Sequence, residues 1–209
     1  MKKLESSLIN MVLVLVGVAL IMGGILAWVN HVTEGPIAKQ AELILANGIK
    51  EVMGGEKLTV VANDTIVQKI DGKDVTFIIH HTQDGRKHNL GAAVESSTLG
   101  FSDNIKVLVG FNPEGEILGY TILQSSETPG LGAKADKWFQ EGQKGNIIGK
   151  NLSKETLAVK KDGGNIDAIT ASTITSRAFL KAVNQAYNAY VNKEVDGQSG
   201  ASQQKVAKR

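Results

Sequence analysis

Residues 105–123, IKVLVGFNPEGEILGYTIL, indicate the fold class of this chain. Two apolar runs, Ile105–Phe111 and Ile117–Leu123, flank the segment Asn112–Gly115, in which Pro and Gly stand where a tight turn needs them. The pattern therefore predicts two antiparallel strands that are joined by a short turn.

Further strands are predicted on both sides of this hairpin. Upstream, the candidate strands are Leu58–Val61, Thr65–Ile70, Val75–His80 and Gly91–Glu95. Asp71-Gly72 is a strong two-residue hairpin signal, and Asp84-Gly85 marks another turn. Downstream, Thr156–Lys160 is a further candidate strand.

Helical patterns lie before and after the strands. Pro36 opens an amphipathic pattern that ends at Gly54-Gly55 and has an apolar face of Ile37, Ala41, Ile44, Leu45, Ile49 and Val52. A short helix is predicted around Asp136–Glu141. A last helix begins near Thr175 and presents Ala178, Val183, Ala186, Tyr187 and Tyr190. Strands in a run with helices at each end predict an α+β fold with a largely antiparallel sheet and flanking helices.

The segment Leu8–Val29 carries no charge and is long enough to cross a bilayer as a helix. Lys2 and Lys3 precede it, so the positive-inside rule predicts a cytoplasmic N-terminus. A cleaved signal peptide is the alternative, but residues 26–30 offer no good small-x-small cleavage site. We therefore expect a cytoplasmic N-terminus at 1–7, a transmembrane helix at 8–29, one extracytoplasmic domain at 30–192 and a flexible polar tail at 193–209.

The composition excludes several kinds of function. The 209 residues include no cysteine, which excludes disulfides, thiol catalysis and Cys-ligated clusters. The net charge of +2 predicts no nucleic-acid partner. The four histidines show no spacing with carboxylates that indicates a metal site.

Two segments carry the candidate chemistry. The first is Asp167–Ser176, which places hydroxyl groups at Thr170, Ser172, Thr173, Thr175 and Ser176 near the start of the last helix. Unpaired backbone N–H groups and the helix dipole favour a phosphate there. The alternative is that Thr173 or Thr175 is only a helix N-cap.

The second segment is the loop Glu127–Gly132, which directly follows a predicted strand. Pro129 restricts one backbone dihedral, while Gly130 and Gly132 allow the backbone to approach a ligand closely. Glu127 and Thr128 are candidates for polar contacts to a ring system, and Leu131 for an apolar contact. The alternative is an ordinary Pro-Gly turn.

These features together resemble a known family. The apolar anchor, Gly100-Phe101-Ser102 before Ile105, the loop at 127–132 and the segment 167–176 follow the order seen in FMN-binding domains of flavin-carrying membrane electron-transfer subunits. In particular, the chain resembles the G subunit of the Rnf ion-translocating electron transport complex, over nearly its whole length. The C subunit of the sodium-pumping NADH:quinone reductase is similar but generally longer.

The resemblance implies which residues bind the cofactor. In this family a flavin transferase attaches FMN through its phosphate to the last Thr of a Ser/Thr-Gly-Ala-Thr motif that follows an Asp. The matching residues are Asp167, Thr170 and, as the esterified residue, Thr173, with Thr175 and Ser176 beside the phosphate. This chain has Ala171 where Gly is usual and Ser172 where Ala is usual, and Ser172 is a second candidate for attachment. The loop at 127–132 matches without departure and would line the flavin ring.

The resemblance implies a redox carrier of the ferredoxin:NAD oxidoreductase type, with FMN as a phosphoester-linked cofactor and other membrane subunits as partners. Thr173 is then an attachment point and no residue is an acid–base catalyst. The equivalent subunit of a sodium-translocating NADH:quinone reductase is an alternative, as is a flavin-free membrane-anchored binding or assembly module. A stand-alone flavoenzyme would need an acid–base group such as His80, His81 or His88 over the ring.

Overall fold

A computed structural model describes residues 8–55, 57–70 and 73–192. The predicted cytoplasmic N-terminus at 1–7, the hairpin turn at Asp71-Gly72 and the polar tail at 193–209 lie outside the described residues. The chain divides into two compact units, one up to Ile44 and one from Leu45 onward. Each unit is described by itself.

Helix α1 spans Leu8–Val52. Among the described residues it is the one helix that is long and apolar enough to cross a membrane, and its apolar side chains from Leu8 to Val32 are exposed. The prediction that a separate helix starts at Pro36 is wrong, because Pro36 lies inside α1. The ring of proline fixes a helical φ, but inside a helix it removes one hydrogen bond and crowds the carbonyl four residues earlier, so α1 continues through Pro36 at a local cost.

The amphipathic face predicted for residues 37–52 is buried only at its C-terminal end. Ile49 and Val52 are buried, and Leu45 packs against them, whereas Ile37 and Ile44 are exposed. Gly54, with φ of +68°, follows the end of α1, as expected for a helix stop signal.

Five strands form one antiparallel sheet in the order β1-β2-β3-β4-β5, which confirms the predicted fold class. Their bounds are Leu58–Ile70, Lys73–Asp84, Asn89–Leu99, Asn104–Phe111 and Ile117–Gln124. Strand β1 is continuous through the two strands predicted for it, with a register shift between Val60 and Ala62. Strand β3 is longer than predicted and ends at Leu99, directly before Gly100-Phe101-Ser102.

The main core lies between one face of the sheet and helix α3, which spans Thr173–Tyr190. Alternate residues of β4 point to α3, and the buried side chains at this interface include Val107, Val109, Phe111, Phe179, Val183 and Ala186. Phe179 stacks on Phe139 with 4.4 Å between ring centroids. This packing holds the N-terminal end of α3 in a defined position relative to the sheet.

Between β5 and α3 one predicted element is found and one is not. A 3₁₀ turn at Gly132–Lys134 leads into the short helix α2 at Ala135–Trp138, close to the predicted helix. The predicted strand at Thr156–Lys160 is wrong, because the chain makes only one parallel bridge, between Val159 and Ile166, around a 3₁₀ turn at Lys160–Asp162. Gly163, with φ of +86°, turns the chain there before a strand can extend.

Candidate functional site

The carboxylate of Glu127 joins three segments of the chain. Glu127 is 6% exposed, and its Oε1 accepts hydrogen bonds from the backbone N–H groups of Phe101 at 2.8 Å and Ser102 at 3.0 Å. Its Oε2 accepts a hydrogen bond of 2.6 Å from the Thr175 hydroxyl. Both oxygens therefore have partners within the protein, and the two predicted segments meet at this side chain.

Two glycines make room for this carboxylate. A Cβ atom at Gly132 would lie 2.5 Å from Glu127 Oε2 and 2.7 Å from Thr175 Oγ1, and a Cβ atom at Gly100 would collide with Glu127 Oε1. Any larger residue at either position would displace the carboxylate. The role of Gly132 is thus close packing within the protein.

The outer part of the same loop is exposed. Leu131 N–H donates to Thr128 O at 3.1 Å, and Gly130, with φ of +77°, follows Pro129, as in a type II turn. Thr128 and Gly130 are exposed, and Leu131 is 41% exposed. Phe101, held near this loop by Glu127, is 67% exposed. Thr128, Gly130, Leu131 and Phe101 therefore offer a partly apolar surface that no described residue covers.

At the start of α3, two of the predicted hydroxyl groups are used within the protein. The Ser176 hydroxyl accepts from Ile169 N–H at 2.9 Å and donates to Ser172 O at 2.9 Å. The Thr175 hydroxyl donates to Glu127. Ser172 is buried, whereas Thr173 is half-buried and Thr170 is exposed. Of the predicted hydroxyl groups, those of Thr170 and Thr173 are therefore the more open to solvent.

The interpretation of Thr173 or Thr175 as a helix cap is wrong. The N-cap residue of α3 is Ser172, whose side chain makes no capping hydrogen bond, and the first turn contains no acidic residue. The first N–H groups of a helix have no intrahelical partner, and the helix dipole adds positive charge there. This end of α3 is thus suited to an anion.

Ala171, directly before the N-cap, has φ of +61°. This left-handed conformation is costly for a residue with a Cβ atom and is easily adopted by glycine. The position where the family motif has Gly therefore requires a glycine-like backbone, and Ala171 adopts it under strain.

One basic side chain lies beside the Thr173 hydroxyl, and another is paired nearby in the sequence with Asp167. Lys161 Nζ lies 3.5 Å from Thr173 Oγ1. Lys160 Nζ forms an ion pair of 2.7 Å with Asp167 Oδ2, and the Asp167 carbonyl accepts a hydrogen bond of 2.8 Å from Trp138 Nε1. Asp167 therefore connects Lys160 and Trp138 just before α3. No described hydrogen bond joins Asp167 to Thr173.

A second ion pair connects the turn at Lys160–Asp162 to α3. Arg177 donates two hydrogen bonds to the carboxylate of Asp162, at 2.7 and 2.6 Å. These bonds hold the pKa of Asp162 below its usual range and raise the pKa of Arg177. The ion pair fixes the turn that carries Lys161.

Three of the histidines lie on β2 or in the turn that follows it, each beside a carboxylate. His80 is buried between Asn63 and Glu95, with 2.9 Å to Glu95 Oε1, and Lys106 Nζ lies 2.6 Å from Glu95 Oε2. Although burial raises it, the hydrogen bonds from His80 and Lys106 bring the pKa of Glu95 below its usual value. His81 pairs with Asp64 and His88 with Asp84. Across residues 8–55, 57–70 and 73–192, no group of three or more His, Asp or Glu side chains could hold a metal ion.

The structure thus brings Glu127, Gly132 and Thr175 together and places Thr173 beside Lys161. Phe101, Lys161 and Arg177 lie at the candidate site but were not predicted as site residues from the sequence. A signal for Phe101 was present, since Gly100-Phe101-Ser102 is part of the pattern that carries the resemblance. No signal identified Lys161 or Arg177, because their places depend on how the turn at Lys160–Asp162 packs against α3.

Comparison with known proteins supports an assignment to a family. The FMN-binding domain family matches residues 100–188, a range that contains both candidate segments. The G subunit of the ion-translocating oxidoreductase complex of Shewanella baltica is 34% identical over 80% of this chain and 82% of its own length. The corresponding G subunit of Yersinia pestis is 34% identical over 78% of this chain and 80% of its own length.

Another relative is the G subunit of the Na⁺-translocating ferredoxin:NAD⁺ oxidoreductase complex of Acetobacterium woodii. It is 42% identical over 46% of this chain and 46% of its own length. The apolar helix α1 agrees with a single-pass membrane protein. The chain therefore belongs to the G-subunit family of ion-translocating oxidoreductase complexes and contains an FMN-binding domain.

Proposed function

We propose that this protein is the redox-carrier subunit of a membrane-bound ion-translocating electron transport complex, and that FMN is linked by a phosphoester to Thr173. The observation that supports the attachment point is the half-buried Thr173 hydroxyl at an uncapped helix start, next to a lysine. The family match to an FMN-binding domain supports the cofactor. The relatives named above support the kind of complex.

The residues fit the phosphate of FMN. Uncapped N–H groups at the start of α3 and the ammonium of Lys161 would both stabilise the negative charge of a phosphate linked to the Thr173 oxygen. Ser172 is buried, so its hydroxyl is less accessible to an attaching enzyme than that of Thr173. The arrangement favours Thr173 over Ser172 for attachment.

The residues also fit the flavin ring. Thr128, Gly130 and Leu131 lie on the exposed side of the loop at 127–132, and Phe101 is exposed beside them. We assign the ring to this surface, because exposed apolar side chains gain from covering an aromatic ring system. Glu127 holds the surface in place and does not itself contact the ring in this proposal.

Attachment is a phosphoryl transfer by a flavin transferase. The hydroxyl hydrogen of Thr173 leaves to a base of the transferase, the Oγ1–P bond forms, and the P–O bond to the leaving group of an activated flavin nucleotide, a phosphoric anhydride, breaks. When bound at Thr173, FMN would supply both two-electron and one-electron chemistry, which can connect carriers of different stoichiometry. The chain needs no acid–base catalyst of its own for that role.

The proposal also covers the partners and the location, which α1 and the family support. We assign residues 8–29 to the membrane, residues 1–7 to the cytoplasm, and residues 30–192 to the extracytoplasmic side, because Lys2 and Lys3 precede the apolar segment. Other membrane subunits of the complex would deliver and accept the electrons. The ferredoxin and NAD ends are those of the complex to which the relative from Acetobacterium woodii belongs.

The test is the intact mass of the full chain after co-production with a flavin transferase, followed by peptide mapping. We expect a mass gain of one FMN less water on the peptide that contains Thr173, and flavin fluorescence that survives denaturation. An unmodified mass would contradict the proposal and favour a flavin-free membrane-anchored module. A gain mapped to Ser172 would move the attachment point.

A further inference from the structure

We propose that Lys161 is the phosphate-binding residue of this site, and that its ammonium group both promotes attachment of FMN and stabilises the attached phosphodiester. The inference rests on the proposed function, since it concerns the group that would be linked to Thr173. The main observation in its support is the distance of 3.5 Å between Lys161 Nζ and Thr173 Oγ1. A phosphate on that oxygen would lie next to the ammonium group.

The position of Lys161 is determined by the protein. Its turn is closed by hydrogen bonds from Lys160 N–H to Ile166 O at 2.9 Å and from Asp162 N–H to Val159 O at 2.8 Å. Val159 and Ile166 are both buried in the main core. The two hydrogen bonds from Arg177 to Asp162 then connect the turn to α3, one helical turn beyond Thr173. Lys161 therefore reaches Thr173 from a turn that is fixed on both sides.

The charges around Thr173 distinguish Lys161 from its basic neighbours. Lys160 is paired with Asp167, and Arg177 is paired with Asp162. Among the described residues no carboxylate lies within ion-pair distance of Lys161 Nζ, and its one hydrogen bond goes to the Thr173 hydroxyl. Asp162 is near enough for Lys161 to help lower the pKa of Asp162, but its carboxylate is occupied by Arg177. Lys161 is thus the cation that remains to neutralise a phosphate.

The start of α3 gives an independent reason for an anion at this place. The helix begins without an acidic residue in its first turn and without a capping side chain. Natural helices usually compensate their positive end with one of these. A phosphodiester on Thr173 Oγ1 would supply that compensation, with Lys161 on its outer side.

The experiment compares five forms of the full chain, co-produced or incubated with a flavin transferase: parent, Lys161→Gln, Lys161→Glu, Lys161→Arg and the control Lys154→Gln. Lys154 is exposed and forms no described ion pair. The first readout is the initial rate of mass gain. We expect Lys161→Gln to slow attachment about tenfold and Lys161→Glu to slow it further, as for a partly screened charge pair near a protein surface. Lys161→Arg and Lys154→Gln should keep the parent rate within about twofold.

The second readout separates phosphate binding from recognition by the transferase. The melting temperature of each form is measured before and after flavin attachment has gone to completion. We expect attachment to raise the melting temperature of the parent, and Lys161→Gln to lose most of that gain. A lysine that serves only to dock the transferase would change the rate and leave the gain intact, which would overturn the proposal.

The outcomes also separate this inference from the proposed function. A parent chain that gains no FMN contradicts both. A parent that gains FMN on Thr173, with Lys161→Glu modified at the same rate and with the same gain in melting temperature, contradicts only the role of Lys161. The role of Lys161 is supported if Lys161→Gln lowers the rate of attachment while Lys161→Arg keeps the parent rate, and if Lys161→Gln also shows a smaller gain in melting temperature on attachment.

Discussion

The loop at 127–132 and the segment at 167–176 look equally polar in the sequence, but their central side chains have opposite environments. The Glu127 carboxylate is buried and accepts three hydrogen bonds from Phe101, Ser102 and Thr175. The Thr173 hydroxyl is half-buried and has one long contact, to Lys161. The Glu127 carboxylate has protein partners for both of its oxygens and therefore serves to hold the surrounding segments together. The Thr173 hydroxyl is more accessible to solvent and is therefore the group that can react.

The largest difference is expected for Thr173→Ala. Removal of the hydroxyl removes the proposed attachment atom, so covalent FMN should fall to the background level in intact-mass and in-gel fluorescence measurements. Thr173 makes no buried hydrogen bond, so the free energy of unfolding should change by less than about 0.5 kcal/mol. If this variant kept its full content of covalent flavin, Thr173 would not be the reactive residue of the segment at 167–176.

Gly132→Ala tests the packing around Glu127. The new Cβ atom would lie 2.5 Å from Glu127 Oε2 and 2.7 Å from Thr175 Oγ1, so the carboxylate must move. We expect a loss of about 2 kcal/mol in the free energy of unfolding, measured by chemical denaturation. Gly85→Ala is the control, because nothing lies within 4 Å of a Cβ atom there and its φ is not in the left-handed region. Equal stability of the two variants would show that the packing around Glu127 is loose.

Glu127→Gln keeps the shape of the side chain and removes its charge. Two backbone N–H groups and one hydroxyl lose a charged acceptor, so we expect a loss of about 1.5 kcal/mol in the free energy of unfolding. The matched control is Glu141→Gln, an exposed glutamate. Covalent FMN should remain on Thr173 in Glu127→Gln, and its complete absence would mean that Glu127 takes part in attachment.

Ala171→Gly relieves a strained backbone beside the attachment point. Glycine adopts the φ of +61° without a Cβ clash, which should stabilise the fold by about 0.5–1 kcal/mol after the higher entropy of unfolded glycine is counted. The control Ala133→Gly, at an exposed position without positive φ, should destabilise the fold by a similar amount. If both variants lose stability, the strain at Ala171 is negligible.

The smallest effect on stability is expected for the ion pair between Asp162 and Arg177, which holds the turn that carries Lys161. Because the pKa of Asp162 is lowered in the folded protein, its contribution to stability is present above the ordinary carboxyl pKa of about 3.9 and is lost as the pH falls through the lowered value. The melting temperature of the parent should therefore be slightly higher than that of Asp162→Asn at pH 7, and this difference should shrink as the pH falls below the ordinary carboxyl pKa and through the lowered value. A difference that does not change with pH would assign the effect to packing.

Several features of the site were predictable from local sequence and others were not. Gly130 after Pro129 indicates its turn by itself, since the positive φ at the third position of a type II turn strongly favours glycine. The start of α3 was predicted within two residues of Thr173, because an apolar periodicity follows it. The continuity of α1 through Pro36 was not predicted, because proline is favoured in the first turn of a helix and disfavoured in its interior.

The sequence alone determined the antiparallel sheet, the apolar anchor and the position of the two candidate segments along the chain, because strand length, turn residues and hydrophobic runs act over short distances. Only the tertiary structure decided that Glu127 is a buried support, that Thr175 and Ser176 are used inside the protein, and that Lys161 faces Thr173. These roles depend on which residues from distant parts of the chain lie within hydrogen-bond distance. Those residues are determined by the packing of α3 and the turn at Lys160–Asp162, which no local pattern encodes.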